Sequence, residues 1–309
     1  MTFVARAPRG YRLWVTIARL DLEARGLRVA ALGAGPPDGP LALCLHGFPD
    51  SAWSWAPLLE ALAVRGWRAV APWMRGYAPT DVPADGLYQT AALARDAVAL
   101  HDALGGDDRA VLIGHDWGAP AAYGAAIDAP DRWCACVGMA VPPGRALGTA
   151  FLGDLAQLKR SWYMFFFQHG LADAVVPAAD LAFVDMLWRD WSPGFDGAAH
   201  AARAKEALRG DGRVAAALGY YRATLGAGRR DPTLDDLQRR MGGELPPQPL
   251  LYLHGREDGC VGVDVALAAR AELPPSARVE VVDGAGHFLQ VERPEEVARL
   301  VLGHVGDAA

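Results

Sequence analysis

The chain has 309 residues, of which 52% are hydrophobic, and its formal net charge at pH 7 is −6. That length suffices for one large domain or for a domain with an inserted subdomain. The acidic balance, without a long run of Lys or Arg, argues against nucleic acid as a partner, and no apolar run reaches the roughly 18 residues that span a bilayer.

Short apolar runs alternate with segments of helical spacing along most of the chain. The runs predicted as strands are Leu27–Leu32, Leu41–Leu45, Trp67–Pro72, Ala110–Ile113, Trp133–Met139, Pro249–Leu253 and Arg278–Val282. Helical spacing covers Ser54–Val64, Thr90–Leu104, Pro120–Ile127, Val263–Ala271 and Pro294–Leu302. This alternation predicts an α/β fold with a mostly parallel sheet that carries helices on both faces.

The strand pattern stops between about Val141 and Leu245. Helical patterns replace it at Leu147–Gln168, Ala178–Trp191, Ala199–Leu208 and Val214–Leu225. The segment GAGRRDPTLDDLQRRMGGELPPQP then predicts an exposed return to the next strand. We therefore expect residues 1–141 and 246–309 to form a core domain, and residues 142–245 to form an inserted α-helical cap or lid.

The N-terminus and the cysteines indicate the compartment. The first twenty residues have neither a clean apolar core nor a small-residue cleavage site, so they do not match a signal peptide. The four cysteines, Cys44, Cys134, Cys136 and Cys260, lack metal-ligand spacing and are typical of core cysteines in a reducing compartment. We expect a cytoplasmic protein without a metal ion or a cofactor.

Four polar clusters lie where predicted strands end, which is where open α/β sheets place their sites. They are His46-Gly47-Phe48-Pro49, Gly114-His115-Asp116-Trp117-Gly118, Gly255-Arg256-Glu257-Asp258 and Gly284-Ala285-Gly286-His287-Phe288. Two glycines bracket Asp116 at the spacing of the G-x-S-x-G nucleophile elbow, but a carboxylate stands where the serine would be. Alone, Asp116 could instead be a helix N-cap.

The motifs HGFPDSAWSW, RGYAPTD, GHDWGAP, GREDG and GAGHFLQVERPEEV resemble the epoxide hydrolase branch of the α/β-hydrolase superfamily. The resemblance runs from about Leu27 to Leu302. It implies an eight-stranded, mostly parallel sheet with a helical cap that carries two tyrosines. By matching SWYMFFFQ and GYYR we choose Tyr163 and Tyr221, with Tyr220 as the rival of Tyr221.

The resemblance also implies a role for each polar cluster. Asp116 would attack an epoxide carbon and form an alkyl ester, because a carboxylate needs no base to be nucleophilic at neutral pH. His287, oriented by Asp258, would activate the water that hydrolyses this ester. The backbone N–H groups of Phe48 and Trp117 would hold the oxyanion, each worth on the order of 3 kcal/mol.

The two cap tyrosines would supply a proton to the opening epoxide, since a phenol with a pKa near about 10 stays protonated at neutral pH. We expect an apolar substrate pocket lined by Trp117, Trp162 and Phe288. Glu257 is the fallback for Asp258, whereas Asp283 lies too close to His287 along the chain to orient it. The expected partners are a small apolar epoxide and water. The sequence leaves open whether the chain forms a homodimer.

Two other functions compete with this interpretation. A haloalkane or haloacid dehalogenase would use the same aspartate ester, and Trp117 with Trp162 could hold the departing halide. Enzymes of this family that act on haloacetates resemble a pattern with an Arg directly after the nucleophile, which holds the substrate carboxylate, and this chain has Trp117 at that position. A non-catalytic ligand-binding protein is less favoured, because it does not need Asp116, Asp258 and His287 together.

Overall fold

The computed structural model describes residues 15–308, and their eight strands form one sheet. The sheet order is β1-β2-β4-β3-β5-β6-β7-β8, in which β1 pairs antiparallel with β2, β2 antiparallel with β4, and all other neighbours are parallel. The strands are β1 (Ala18–Ala24), β2 (Leu27–Ala34), β3 (Leu41–Leu45), β4 (Arg68–Pro72), β5 (Val111–His115), β6 (Ala135–Met139), β7 (Leu250–Gly255) and β8 (Arg278–Val282). The predicted α/β fold is confirmed.

The first strand is the one that the sequence pattern did not single out. β1 has the sequence ARLDLEA and lies at the edge of the sheet, with most of its side chains exposed or half-buried. An edge strand needs fewer apolar residues than a central one, so its pattern resembles that of a surface loop. The five-residue strands β3, β5 and β6 are buried throughout, which explains why their apolar runs were recognised.

Helices flank the sheet in two groups, since α1 packs with α14 and α2 packs with α3. The flanking helices are α1 (Ala56–Val64), α2 (Thr90–Ala103), α3 (Gly118–Asp128), α12 (Val263–Glu272), α13 (Leu289–Glu292) and α14 (Pro294–Val305). Short 3-10 helices cover Ala52–Trp55, Pro130–Arg132 and Pro232–Leu234. No helix within residues 15–308 is long and apolar enough to cross a membrane.

All regular elements between β6 and β7 are helices, and we call residues 140–249 the helical insertion. They are α4 (Ala146–Gly153), α5 (Leu155–Arg160), α6 (Trp162–Phe166), α7 (Ala172–Val175), α8 (Ala178–Trp191), α9 (Ala198–Leu208), α10 (Arg213–Leu225) and α11 (Asp235–Met241). The predicted stretch Leu147–Gln168 is divided into three helices. The second of these begins where the Asp154 carboxylate accepts hydrogen bonds from the N–H groups of Ala156 and Gln157.

The expected exposed return before β7 is wrong in part, because it contains α11. Leu234 and Leu237 are buried in a small cluster with α2 residues such as Ala91 and with Ile127 of α3. The Gln238 side chain also accepts a hydrogen bond from the Ala91 N–H at 3.0 Å. The segment is rich in charged residues and glycine, so its two buried leucines were not recognised as the residues that pack α11 against α2 and α3.

The parallel pairings bring several strand ends to the same edge of the sheet. Leu45 pairs with Gly114, His115 with Met139, Met139 with Leu253, and Gly255 with Val282. The loops after β3, β5, β7 and β8 therefore emerge side by side. These loops carry the four polar clusters.

Two glycines allow α3 to start directly beneath β3. A Cβ atom on Gly118 would overlap the carbonyl oxygen of Leu45, and one on Gly114 would overlap the carbonyl oxygen of Gly118. Both obstacles are backbone atoms, which cannot rotate away. The glycine spacing around Asp116 is thus a packing requirement as well as a motif.

We expect Gly118→Ala to lower the free energy of unfolding by about 3 kcal/mol or to prevent folding, because overpacking against fixed backbone is costly. The matched control is Gly148→Ala in α4, where a Cβ atom meets nothing within 4 Å. That change should be neutral or should stabilise by up to about 1 kcal/mol, as for an ordinary helix glycine. Urea unfolding of both variants measures the difference, and equal midpoints would contradict the packing argument.

Candidate active site

Asp116 occupies the sharp turn between β5 and α3. Its backbone is left-handed, with a φ of 50°, a conformation that costs a non-glycine residue energy and that recurs at functional sites. The N-cap position of α3 is held by Trp117, and no side chain caps the helix there. The carboxylate of Asp116 instead accepts a hydrogen bond of 2.6 Å from the Phe48 N–H to its Oδ1. Its position therefore does not support the N-cap alternative.

The loop after β3 approaches this carboxylate closely because it contains Gly47. A Cβ atom on Gly47 would overlap Oδ1 of Asp116 and would lie 2.5 Å from the backbone nitrogen of Trp117. The Phe48 and Trp117 amides, both predicted as oxyanion donors, thus belong to the same narrow gap. Of the two, the Phe48 N–H already donates to Oδ1, where it can stabilise negative charge that develops on this oxygen.

His287 lies between the two predicted aspartates. Its Nδ1 is 3.0 Å from Oδ2 of Asp258, and its Nε2 is 3.6 Å from Oδ2 of Asp116. All three side chains are buried. Glu257 is exposed, and Asp283 pairs with Arg256 at the surface, so neither alternative acid reaches the histidine. The structure brings Asp116, Asp258 and His287 together as expected.

Burial and the neighbouring Asp258 have the largest effects on the pKa of His287. Burial alone would lower the pKa of His287, but the neighbouring Asp258 and the contact with Asp116 raise it well above its usual value. Burial alone would raise the pKa of Asp258, yet His287 and the N–H groups around it hold that pKa below its usual range. The pKa shifts therefore favour the charged forms of both His287 and Asp258.

Two further histidines brace the loops and stay neutral. The Met74 N–H donates to Nε2 of His46 at 3.1 Å, and burial lowers the pKa of His46 to about 4. His115 Nε2 lies 2.8 Å from the carbonyl oxygen of His287, and burial lowers the pKa of His115 to about 3. A neutral ring can donate from only one nitrogen, so these residues serve position rather than charge.

Both chosen cap tyrosines project towards Asp116 from the helical insertion. Tyr163 of α6 and Tyr221 of α10 are buried, and their ring centroids are 5.7 Å apart. Burial raises the pKa of both phenols well above the usual value, so both stay protonated at neutral pH. The rival Tyr220 points elsewhere, since its hydroxyl donates to the carbonyl oxygen of Arg75 at 2.8 Å.

A narrow cavity of about 60 Å³ connects the tyrosines with the aspartate. It is lined by Asp116, Trp117, Pro120, Val141, Leu147, Phe151, Ser161, Tyr163, Met164, Tyr221, Cys260 and Val261. Its wall is mainly apolar, with a few polar groups that converge on Asp116, which is the usual make-up of a small-molecule site. The predicted apolar pocket thus has a counterpart that includes Trp117.

Two residues expected in the pocket do not line this cavity. Trp162 is 44% exposed and packs its ring against Phe166 and Phe183 on the outside of the insertion. It precedes Tyr163, and a helix rotates neighbouring side chains by about 100°, so both cannot face the same cavity. Phe288 is fully buried behind the site, where its ring stacks on Trp188 at 3.5 Å.

Three buried polar atoms in or beside the cavity make no hydrogen bond of ordinary geometry with the described residues. They are Nε2 of His287, the hydroxyl of Tyr221 and Nε1 of Trp117. Buried polar atoms are paired in the great majority of cases, so unpaired ones at one cavity mark a place where a polar ligand binds. Water or a substrate oxygen could meet these atoms.

The backbone carbonyl of Trp191, at the end of α8, joins the insertion to the polar loops. It accepts hydrogen bonds from the N–H groups of Gly259 and His287, each at 3.0 Å. The Trp191 ring also lies edge-on to His287, with centroids 5.0 Å apart. One carbonyl therefore sets the separation of the loop with Asp258 from the loop with His287.

Sequence reasoning missed Cys260, which lines the cavity although its pattern is that of a core cysteine. The available signal was its position two residues after Asp258, in the same strand-end loop. Side-chain atoms of Asp258, Cys260 and His287 lie within 4.8 Å of one another, so this group could hold a metal ion. The hydrogen bond between Asp258 and His287 already engages two of the three residues.

Asp50 is a second missed residue, a buried carboxyl group behind His287. Its Oδ1 accepts hydrogen bonds from the Ser51 N–H and the Ser54 hydroxyl, and its Oδ2 lies 3.9 Å from Nδ1 of His115. Burial raises the pKa of Asp50 to about 7. The folded protein therefore binds a proton at Asp50 that the unfolded chain releases at lower pH.

We expect Asp50→Asn to be increasingly stable relative to the parent as the pH rises from about 4 to about 7, because only the parent must then bury an ionised carboxylate. The advantage should reach at least about 1.4 kcal/mol, the equivalent of one pKa unit, and level off above about pH 8. Asparagine keeps an acceptor for Ser51 and Ser54. Urea unfolding across this range tests the expectation, and a pH-independent difference would refute it.

Comparison with known proteins places the chain in a family. A family model described as the alpha/beta hydrolase fold matches residues 40–294. The chain is 31% identical to epoxide hydrolase 2 of Siraitia grosvenorii, over 89% of this chain and 93% of that protein. It is 29% identical to epoxide hydrolase B of Mycobacterium tuberculosis, over 92% of this chain and 97% of that protein.

A solved structure agrees with this placement. The crystal structure of epoxide hydrolase A from Mycobacterium thermoresistibile superimposes with a TM-score of 0.71. The two chains are 25% identical, and the alignment covers 94% of this chain and 98% of the other. The likeness thus includes the helical insertion as well as the sheet.

Proposed function

This chain belongs to the α/β-hydrolase fold family, in its epoxide hydrolase-like branch, and from that premise we propose that it hydrolyses an apolar epoxide to a vicinal diol through an ester on Asp116. The observation that carries the proposal is the placement of a carboxylate at the elbow opposite two buried phenols. A nucleophile on one side of a small apolar cavity and proton donors on the other are the two requirements of ring opening.

In the first step, Oδ2 of Asp116 attacks an epoxide carbon. Oδ1 is held by the Phe48 N–H, so Oδ2 is the oxygen left to form the new bond. The C–O bond of the epoxide breaks as the C–Oδ2 bond forms, and a cap tyrosine gives its proton to the departing oxygen. Because an alkoxide is a poor leaving group, this proton transfer lowers the barrier.

In the second step, water attacks the carbonyl carbon of the ester and a neutral His287 takes the proton of that water. The bond from this carbon to the alkoxy oxygen then breaks, His287 returns the proton to that oxygen, and the diol leaves with the Asp116 carboxylate restored. Formation of the ester removes the negative charge 3.6 Å from Nε2 of His287. The pKa of His287 then falls, since burial opposes the imidazolium and one of its two carboxylate neighbours has gone. The proton that His287 then releases restores the phenol that ring opening left as a phenolate, so His287 becomes neutral and can act as a base.

The dehalogenase alternative would need donors for a halide ion. Trp117 has an unpartnered Nε1 at the cavity and could be one of them. The second expected donor, Trp162, lies outside the cavity wall. A halide also leaves without a proton, so that alternative gives the two buried tyrosines no role. Epoxide hydrolysis accounts for more of the site.

We also infer that residues 142–245 act as a lid over this site. The two tyrosines come from the insertion, whereas Asp116, Asp258 and His287 come from loops of the sheet. Substrate entry would then require the cavity between the two parts to widen. A reducing, cytoplasmic compartment is supported by the four cysteines, all of which are free thiols.

His287→Gln should accept substrate but fail to release diol, because the ester on Asp116 then lacks its base. The intact mass should rise by one substrate mass, and the adduct should map to the peptide that contains Asp116. Asp116→Ala is the control, in which no ester adduct should form although the protein folds. An unmodified mass of His287→Gln after long incubation, with substrate binding verified, would count against the ester route.

Tyr163→Phe and Tyr221→Phe should each slow alkylation by about 10- to 100-fold, as expected for the loss of one placed proton donor. The double variant should nearly stop it, while the aromatic rings preserve packing. Single-turnover rates measure the effect. Tyr220→Phe is the matched control, because the Tyr220 hydroxyl donates to the carbonyl oxygen of Arg75 and does not line the cavity. Rates of both single variants within about threefold of the parent would remove the main support for epoxide chemistry.

A further inference from the structure

The two cap tyrosines differ in what their hydroxyl groups contact. The Tyr221 hydroxyl lies near the Trp117 indole and makes no hydrogen bond of ordinary geometry with the described residues. The Tyr163 hydroxyl lies 3.3 Å from Sγ of Cys260, in a geometry in which either atom can donate. The site is therefore asymmetric, with a thiol beside one of its two proton donors.

Cys260 is held firmly in this place. Its N–H donates to Oδ1 of Asp258 at 2.7 Å, and the N–H of the next residue, Val261, donates to the same oxygen at 2.9 Å. The side chain is buried and faces the cavity. The acid that orients His287 thus also fixes the backbone from which the thiol reaches Tyr163.

We propose that Cys260 is a positioning residue for Tyr163, whose thiol donates a hydrogen bond to the phenol oxygen while the phenol gives its proton to the opening epoxide. This inference rests on the proposed function. The Tyr163 proton moves to the epoxide oxygen as the C–O bond breaks and Oδ2 of Asp116 bonds to carbon. The thiol keeps its own proton and donates a hydrogen bond to the phenolate oxygen that forms on Tyr163.

The surroundings of Tyr163 explain why such a donor matters. Its ring is packed against Trp191 and Phe167, with centroids 4.8 Å and 5.5 Å away. These rings offer no compensation to a negatively charged oxygen, which is costly in an apolar environment. Sγ of Cys260 lies 3.3 Å from this oxygen and can act as the donor of the hydrogen bond. A weak donor in a dry site is worth more than the same donor in water.

The first test measures single-turnover alkylation by an aryl epoxide for Cys260→Ala and Cys260→Ser. We expect the alanine variant to be slower by about 3- to 10-fold, the loss expected for one hydrogen bond. The serine variant should recover most of the parent rate, because a hydroxyl can donate to the same phenol oxygen. Cys136→Ala, at a buried thiol in β6, controls for a small cavity in the core.

The second test combines these changes with the tyrosine variants. On a Tyr163→Phe background Cys260→Ala should have no further effect on alkylation, because the oxygen that the thiol serves is gone. On a Tyr221→Phe background its effect should be at least as large as in the parent, since Tyr163 is then the remaining donor. Circular dichroism and urea unfolding verify that each variant is folded.

Each outcome decides the matter. Equal slowing by Cys260→Ala on both tyrosine backgrounds would mean that the thiol acts through packing, and would overturn this inference while leaving the epoxide mechanism intact. A serine variant as slow as alanine would overturn it too. If Tyr163→Phe itself leaves alkylation unchanged, the role of Tyr163 as a proton donor fails and this inference fails with it.

Discussion

The hydrogen bond from the Phe48 amide to Oδ1 of Asp116 is the contact on which the rest of the site depends. It can form only because β3 and β5 are parallel neighbours whose ends meet, and because Gly47 leaves room for the carboxylate. It also separates the roles of the two carboxylate oxygens. One oxygen is held where the oxyanion will develop, and the other is left to face His287 and the cavity.

Around this contact, the buried histidines that support the loops are neutral, whereas the histidine of the polar site is charged. His46 and His115 are buried where ionisation is unfavourable, and each uses a ring nitrogen to hold a loop. His287 is as deeply buried, but two carboxylates favour its charged form. The same residue type is thus neutral support in two places and an ionised partner in a third. The hydrogen-bonded Asp258 carboxylate 3.0 Å from His287, rather than exposure, makes the difference.

Much of the fold and the polar set of the site could be predicted, because both rest on local patterns. Apolar runs mark buried strands such as β5, and glycines on either side of Asp116 record a backbone that comes too close for a Cβ atom. The edge strand β1 and the short helix α11 were missed because surface residues dominate their sequences. Their stability depends on the layer beneath them.

The direction of a side chain could not be predicted where it depends on how a helix is rotated. Trp162 and Tyr163 are neighbours in sequence, yet only Tyr163 lines the cavity. Tyr220 and Tyr221 differ in the same way, and a family motif cannot separate two adjacent tyrosines without a helix axis. Cys260 was overlooked for another reason, since a cysteine is usually a small apolar core residue and its polar contact comes from a distant helix.

The double hydrogen bond at the Trp191 carbonyl has a consequence for protein engineering. Because related proteins share the sheet, one can exchange their helical insertions as modules in order to alter the range of accepted substrates. Here such a graft would also replace the backbone that spaces the loop of Asp258 from that of His287. A chimera that transplanted α8 from another protein would therefore inherit a changed acid–base distance along with its new pocket, unless the last turn of α8 were kept from this chain.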